Sequence, residues 1–140
     1  GNIITLVDPY KGINAFNTAK ILSYLCNGSK ATYIDLGSGI GSDAIKVMRF
    51  CDIPVRAILI DLPLNLTTAF SYVSMNTDRK CVLISNSSQL REVLSNNTDE
   101  SEFLFIPTIF IEELMETDIV VNLLYFYLLL KYSLKLEEQN

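Results

Sequence analysis

Residues 31–43 read Ala-Thr-Tyr-Ile-Asp-Leu-Gly-Ser-Gly-Ile-Gly-Ser-Asp, and this stretch decides the fold. Its apolar first half contains the acid Asp35 and predicts a buried strand. From Ser42 onward the sequence favours a helix with Ser42 as its N-cap. Loops between a strand and a helix bind nucleotides, because a ligand can lie against glycine backbone that carries no Cβ. The alternative is an ordinary glycine-rich turn after a buried strand. Glycines stand at alternate positions of the loop, Gly37, Gly39 and Gly41.

The spacing of these glycines separates two classes of nucleotide site. The dinucleotide pattern Gly-x-Gly-x-x-Gly, counted from Gly37, requires its third glycine at the position of Ser42. Gly41 comes one position early. This spacing disfavours a nicotinamide-dependent oxidoreductase.

A second acid, Asp61, follows the next apolar run at residues 55–60. A carboxylate at the tip of the second parallel strand can accept hydrogen bonds from both hydroxyls of a ribose, and nucleotide folds place one about 20 residues after the glycine loop. The sequence therefore predicts that Asp61 binds a ribose. The alternative is a turn residue, because Asp before Leu-Pro also suits a loop.

Length, composition and charge narrow the function. The 140 residues are 49% hydrophobic, which predicts one globular domain over residues 1–140. The net charge is −5 and no long basic run occurs, so a small molecule is favoured over nucleic acid as the partner. Histidine is absent and the cysteines stand singly, so no metal site is expected. The sequence shows no secretory signal, and we expect a cytoplasmic protein.

Strand and helix patterns alternate along the chain and predict an α/β fold, a Rossmann-like doubly wound sheet that is mostly parallel. The polar, acidic stretch at 95–102 is expected to be a mobile surface loop. Helices are predicted at 13–26, 42–51, around 66–73, at 89–94 and at 110–115, and strands at 31–36, 55–60, 81–85, 103–106 and 119–121.

The segment that begins at Leu123 and ends at Leu136 is apolar on all sides. It is too short for a membrane span, which needs about 20 apolar residues. A buried helix is one interpretation. The other is a helix that contacts a partner or a membrane surface, in which case this segment would hold a homo-oligomer together.

The pattern from Asp35 to Gly41 resembles the first motif of class I S-adenosylmethionine-dependent methyltransferases. Further features between residues 31 and 122 resemble the bacterial sugar O-methyltransferases: Asp61-Leu-Pro63, the Ile106-Pro107 step, and a strand that is bracketed by Asp118 and Asn122. This resemblance implies S-adenosylmethionine as the cofactor and methyl transfer to a sugar hydroxyl of a polysaccharide precursor. The acceptor would be a small molecule or a glycan.

The resemblance also implies roles for individual residues. Asp35 would face the amino group of the methionine part of the cofactor, and Asp61 would bind the ribose with Leu62 beside it. Asn122 would orient a hydroxyl or the cofactor, but an amide cannot act as a base, and no catalytic base is assigned. The loop residues Gly37, Ser38, Gly39 and Gly41 would lie along the ribose and the methionine chain.

The resemblance ends after Asn122. Members of that family continue with further strands of a seven-stranded sheet, whereas this chain continues with the apolar segment described above. We therefore expect a domain that is incomplete at its C-terminus. The alternative function is a methyltransferase-like binding or assembly module without catalysis.

Overall fold

The computed structural model describes residues 13–117, and the side chains from residue 15 onward. The strand at 119–121, Asn122 and the segment from Leu123 to Leu136 lie outside the described residues. Elements in chain order are α1 (Ile13–Cys26), β1 (Ala31–Leu36), α2 (Ser42–Phe50), β2 (Val55–Asp61), α3 (Pro63–Asn76), β3 (Lys80–Leu83), α4 (Ser87–Ser95), β4 (Glu102–Pro107), a 3-10 turn (Thr108–Phe110) and α5 (Ile111–Met115).

The four strands form one parallel sheet in the order β1-β2-β4-β3. The register places Leu36 opposite Ile60, and Ile60 opposite Ile106, so the carboxyl ends of three neighbouring strands lie level. The predicted α/β class is confirmed, and the predicted elements within residues 13–117 agree with the observed ones to within a few residues.

Helices cover both faces of the sheet, because each strand sends alternate side chains to opposite sides. Ala57 and Leu59 of β2 pack on one face against α1, α2 and α3. Ile58 and Ile60 of the same strand pack on the other face with Leu90 of α4 and Leu114 of α5. All seven residues of β2 are buried, as expected for a strand inside a doubly covered sheet.

The direction of winding reverses between β2 and β4. The helix after β2 lies on one face of the sheet and the helix after β4 lies on the other. Ligands of open α/β sheets bind at such a reversal, beyond the carboxyl ends of the strands. In the strand order 3-2-1-4-5-6 of dinucleotide-binding folds, the reversal adjoins the first strand and its glycine loop. Here it adjoins Asp61, which ends β2, and the glycine loop lies one strand away.

The start of α2 differs from the prediction. The N-cap is Gly41, with φ of 81°, and Ser42 is the first helical residue and makes no capping hydrogen bond. The carbonyl of Gly41 accepts the first helical bond from Ile45 N at 3.2 Å. A left-handed glycine at the end of the loop therefore takes the position that the sequence had assigned to serine.

The acidic stretch predicted as a mobile loop is attached to the sheet. Glu102 is the first residue of β4 and is buried, and its carboxylate accepts from Arg56 Nε at 2.7 Å. Arg56 also donates to the carbonyl of Asn96, and Lys30 Nζ donates to the carbonyl of Thr98 at 2.6 Å. Arg56 of β2 and Lys30, the residue before β1, thus hold the loop against the amino ends of the strands.

Candidate functional site

The glycine loop between β1 and α2 uses backbone conformations that favour glycine. The φ angles are 70° at Gly37, 57° at Gly39 and 81° at Gly41, all in the left-handed region that side chains with a Cβ rarely adopt. The loop remains attached to the sheet, because Gly37 N donates to the carbonyl of Ile60 at 2.8 Å.

The glycines have two different roles. A Cβ on Gly41 would lie 2.8 Å from Val73 Cγ2 and 2.9 Å from Leu59 Cδ2, so this glycine lets the loop pack against α3 and the sheet. At Gly37 and Gly39 a Cβ would meet no atom of the described residues within 4 Å. The open side of the loop is therefore at Gly37 and Gly39, where a ligand could approach the backbone.

The carboxylate of Asp61 already has several partners within the chain. Oδ2 accepts from Gly39 N at 3.0 Å, and Oδ1 accepts from Leu62 N at 2.7 Å and from Asn65 Nδ2 at 2.8 Å. Burial disfavours the charge, but these hydrogen bonds outweigh it and hold the pKa of Asp61 below its usual value. Asp61 therefore joins the glycine loop to the start of α3.

Asp35, near the end of β1, has a raised pKa, whereas the pKa of Asp61 is lowered. Burial and the negative charges of Asp43 and Asp61 raise the pKa of its carboxyl to about 6. At neutral pH the carboxyl of Asp35 is mostly ionised, and this charge lowers the stability of the free protein. A positively charged ligand group beside this carboxylate would relieve the burial and the repulsion together.

Two further polar atoms of the loop region lack hydrogen bonds among the described residues. The hydroxyl Oγ of Ser38 and the carboxylate Oδ1 of Asp43 are both buried and make no hydrogen bond. Lys46 Nζ lies 3.7 Å from Asp43 Oδ1, which offsets part of that charge. Buried polar atoms usually have partners, so these two point to a bound polar group or water at the loop.

The structure brings together most of the residues that the sequence singled out. Asp35 interacts electrostatically with Asp61, and Asp61 bonds Gly39 directly. Leu62, the next residue, is largely exposed beside them. The position of Asn122 lies outside residues 13–117.

Sequence reasoning missed two contributors to the site. Asp43 stands in the first turn of α2, where an acid is common for reasons of the helix dipole alone, so its type carried no specific signal. Asn65 donates to Asp61 from four residues further along, in the first turn of α3. The spacing of Asp61, Pro63 and Asn65 around a helix start was the available signal.

A separate open cavity of about 620 Å³ lies at the amino ends of the strands, away from the glycine loop. It is bordered by the ends of α2 and α3 and by the loop before β4, and it does not include any of the predicted site residues. The cavity lining includes Met48, Arg49, Ile53, Arg79, Glu100 and Phe103.

Among the residues with described side chains, no cluster of three or more His, Cys, Asp or Glu side chains is arranged to hold a metal ion. None of the helices between residues 13 and 117 has the length and apolarity to cross a bilayer.

Comparison of the chain with protein-family models, with curated proteins and with solved structures found no match.

Proposed function

We propose that this chain binds S-adenosylmethionine at the glycine loop and serves methyl transfer. The observation that carries the proposal is the state of Asp35, a carboxylate whose pKa is raised to about 6 beneath an open glycine loop. S-adenosylmethionine carries an ammonium and a sulfonium, and a cation next to Asp35 would stabilise its ionised form. The resemblance of the loop to the first methyltransferase motif supports the same assignment.

The charges around the loop favour this cofactor over a dinucleotide. Asp35, Asp43 and Asp61 place three carboxylates at the loop, and a diphosphate there would be repelled by all three. The position of Ser42 already disfavours the dinucleotide pattern. A ligand whose central part is positively charged suits these three carboxylates better than a diphosphate does.

Each residue has a defined part in the proposed complex. Asp35 pairs with the ammonium of the cofactor. The buried hydroxyl of Ser38, which makes no hydrogen bond to the described residues, hydrogen-bonds to the cofactor. The open backbone at Gly37 and Gly39 allows close approach. When bound, the cofactor supplies an activated methyl group, and the chain holds it at the carboxyl edge of the sheet, in a cytoplasmic setting. The acceptor implied by the family resemblance is a sugar hydroxyl.

Titration calorimetry tests the proposal with S-adenosylmethionine, S-adenosylhomocysteine and NAD as three probes. We expect both sulfur compounds to bind and NAD to bind at least tenfold more weakly. The variant Asp35→Asn should lose at least tenfold in affinity for the sulfur compounds, because a charge-assisted pair is lost. Equal binding of all three probes, or none, would contradict the proposal.

Two observations favour a second candidate, a methyltransferase-like module without catalysis. The carboxylate of Asp61 is already occupied by three donors from the chain, and the reversal of the sheet lies one strand from the glycine loop. Both features give the loop a structural role. Cofactor binding without methyl transfer to any of a panel of sugar acceptors would favour this candidate.

A further inference from the structure

Four large apolar side chains are exposed near the carboxyl ends of the strands, and we call them the apolar collar. Isolated exposed apolar residues are common on protein surfaces, but patches contributed by several elements mark sites of interaction. The exposed fractions are 48% for Ile40, 60% for Leu62, 80% for Leu64 and 79% for Ile109.

The topology places the collar residues around one edge of the sheet. Ile40 belongs to the loop after β1, and Ile109 belongs to the turn after β4. Leu62 and Leu64 lie between them, at the junction of β2 and α3. Because β1, β2 and β4 are neighbours whose carboxyl ends are level, with strands about 4.8 Å apart, three adjacent strand ends contribute to the collar.

The charge near the collar indicates what it can bind. The loop residues 37–41, 61–65 and 107–111 contain no lysine or arginine. Asp35, Asp43 and Asp61 lie in or beside the same loops. An anionic lipid surface or a phosphorylated ligand would meet carboxylates without a compensating cation from these loops. Because the cationic cofactor offsets these carboxylates in the proposed complex, an uncharged molecule with an apolar part suits the collar.

We propose that the apolar collar binds the apolar part of the acceptor, so that the substrate is an uncharged amphiphile whose hydroxyl group is attached to an alkyl or aryl group. The inference rests on the proposed function, which places the reacting methyl group at the same edge of the sheet. It adds an apolar substituent to the expected acceptor, the sugar hydroxyl of a polysaccharide precursor. Ligands of doubly wound sheets collect at this edge, which favours a small molecule over a protein partner.

A pair of matched glucosides tests this inference. Octyl β-glucoside, kept below its micelle concentration, and methyl β-glucoside share a sugar and differ in the apolar chain. We expect octyl glucoside to shift the methyl NMR signals of Ile40, Leu64 and Ile109 and to bind at least tenfold more tightly than methyl glucoside. Leu64→Ser and Ile109→Ser should each weaken octyl glucoside binding at least threefold.

The matched control is Met75→Ser, because Met75 is 85% exposed near the other end of α3 and lies outside the collar. It should leave octyl glucoside binding unchanged. Equal affinity for the two glucosides, or an equal loss in Met75→Ser, would overturn the inference. So would sedimentation that shows a dimer dissociated by Leu64→Ser, because a second copy would then occupy the collar.

A separate measurement distinguishes failure of the inference from failure of the proposed function. Binding of S-adenosylhomocysteine is measured for the parent chain and for Leu64→Ser. If S-adenosylhomocysteine binds and octyl glucoside does not, the collar assignment is wrong and the cofactor assignment stands. If octyl glucoside binds at the collar and S-adenosylhomocysteine does not bind, the cofactor proposal fails while the apolar site remains.

Discussion

The backbone N–H of Gly39 donates to Asp61 Oδ2 at 3.0 Å and thereby connects the glycine loop after β1 to the carboxyl end of β2. The same carboxylate also accepts from Leu62 and Asn65 at the start of α3. A ribose that used Asp61 would have to share this carboxylate or displace one of its donors. Binding of a ligand to the Asp61 carboxylate and the conformation of the glycine loop are therefore coupled.

Removal of the Asp61 carboxylate should release the loop. We expect Asp61→Ala to reduce the exchange protection of the Gly39 amide at least tenfold, and to lower the free energy of unfolding by about 1–3 kcal/mol, because donors lose their acceptor. Affinity for S-adenosylhomocysteine should fall about tenfold or more. Hydrogen exchange by NMR, denaturant unfolding and calorimetry measure the three effects.

The control for this change is Asp61→Asn, which keeps one acceptor oxygen and should give intermediate protection of the Gly39 amide. Unchanged protection in Asp61→Ala would contradict the connection between loop and strand. An unchanged dissociation constant would contradict the ribose-binding role.

Asp35 should lower the stability of the ligand-free chain at neutral pH. Its pKa is raised to about 6, so between about pH 4 and 6 the folded chain retains a proton that the unfolded chain has released. The free energy of unfolding contributed by this group therefore falls as the pH rises through that window. We expect Asp35→Asn to be more stable than the parent by about 2 kcal/mol at pH 7 and nearly equal at pH 4. Denaturant unfolding at the two pH values measures the difference, and a destabilised variant at pH 7 would refute it.

Binding of a cation beside Asp35 should release a proton. The ligand favours the ionised carboxylate and lowers its pKa, so near pH 6 the complex binds fewer protons than the free protein. We expect affinity for S-adenosylmethionine to rise from pH 5 to pH 7. Calorimetry in two buffers that differ in ionisation enthalpy should detect the released proton at pH 6. In Asp35→Asn that proton release should vanish, and persistence of the release would assign it to another group.

The glycine loop offers a matched pair of substitutions. Gly41→Ala should destabilise the fold by about 1–3 kcal/mol, because the new Cβ would be forced against Val73 and Leu59 and φ is positive. The new Cβ in Gly39→Ala would meet no atom of residues 13–117 within 4 Å, and this substitution should cost about 1 kcal/mol, the strain of a left-handed backbone. Gly39→Val should abolish cofactor binding while the chain stays folded. Thermal unfolding and calorimetry separate the two effects, and similar stability losses at both positions would contradict the distinction.

Loss of Glu102 should be costly, because it would leave the buried Arg56 without its carboxylate. We expect Glu102→Ala to lower the free energy of unfolding by about 3–5 kcal/mol. Lys30 Nζ, 3.4 Å from Glu102 Oε1, would also lose a partner. The double variant Arg56→Met with Glu102→Leu should recover most of that loss, because paired removal leaves no buried arginine. A loss that is equal in the single and double variants would show that the pair is not the cause.

Sequence patterns predicted most of the fold because buried parallel strands are continuous apolar runs. The runs at β1, β2 and β4 are bounded by glycine, proline or acids, so their positions could be found. The insertion of β4 between β2 and β3 could not be predicted, because strand order depends on packing between distant residues. The attachment of the loop at 96–101 was missed for the same reason, since Lys30 and Arg56 are far away in sequence.

At the glycine loop the residue types were predictable and their partners were not. The sequence indicated that Asp35 and Asp61 stand at strand ends. It could not show that Asp61 is held by Gly39 and Asn65, or that no donor within residues 13–117 lowers the pKa of Asp35. Those differences depend on loop geometry at the level of single hydrogen bonds.

The position of β4 between β2 and β3 also constrains how the chain folds. β1 and β2 can pair as soon as β2 has been synthesised, but among the described strands β3 has no neighbour until β4 has been made. The pair Arg56 and Glu102, at the start of β2 and β4, is separated by 46 residues, and contacts of such long range slow folding. Phe103 and Phe105 complete one hydrophobic core, and Leu104 and Ile106 complete the other. Of the four strands within residues 13–117, the last to emerge from the ribosome is thus the one that completes both cores, so this part of the sheet should assemble in a late, concerted step.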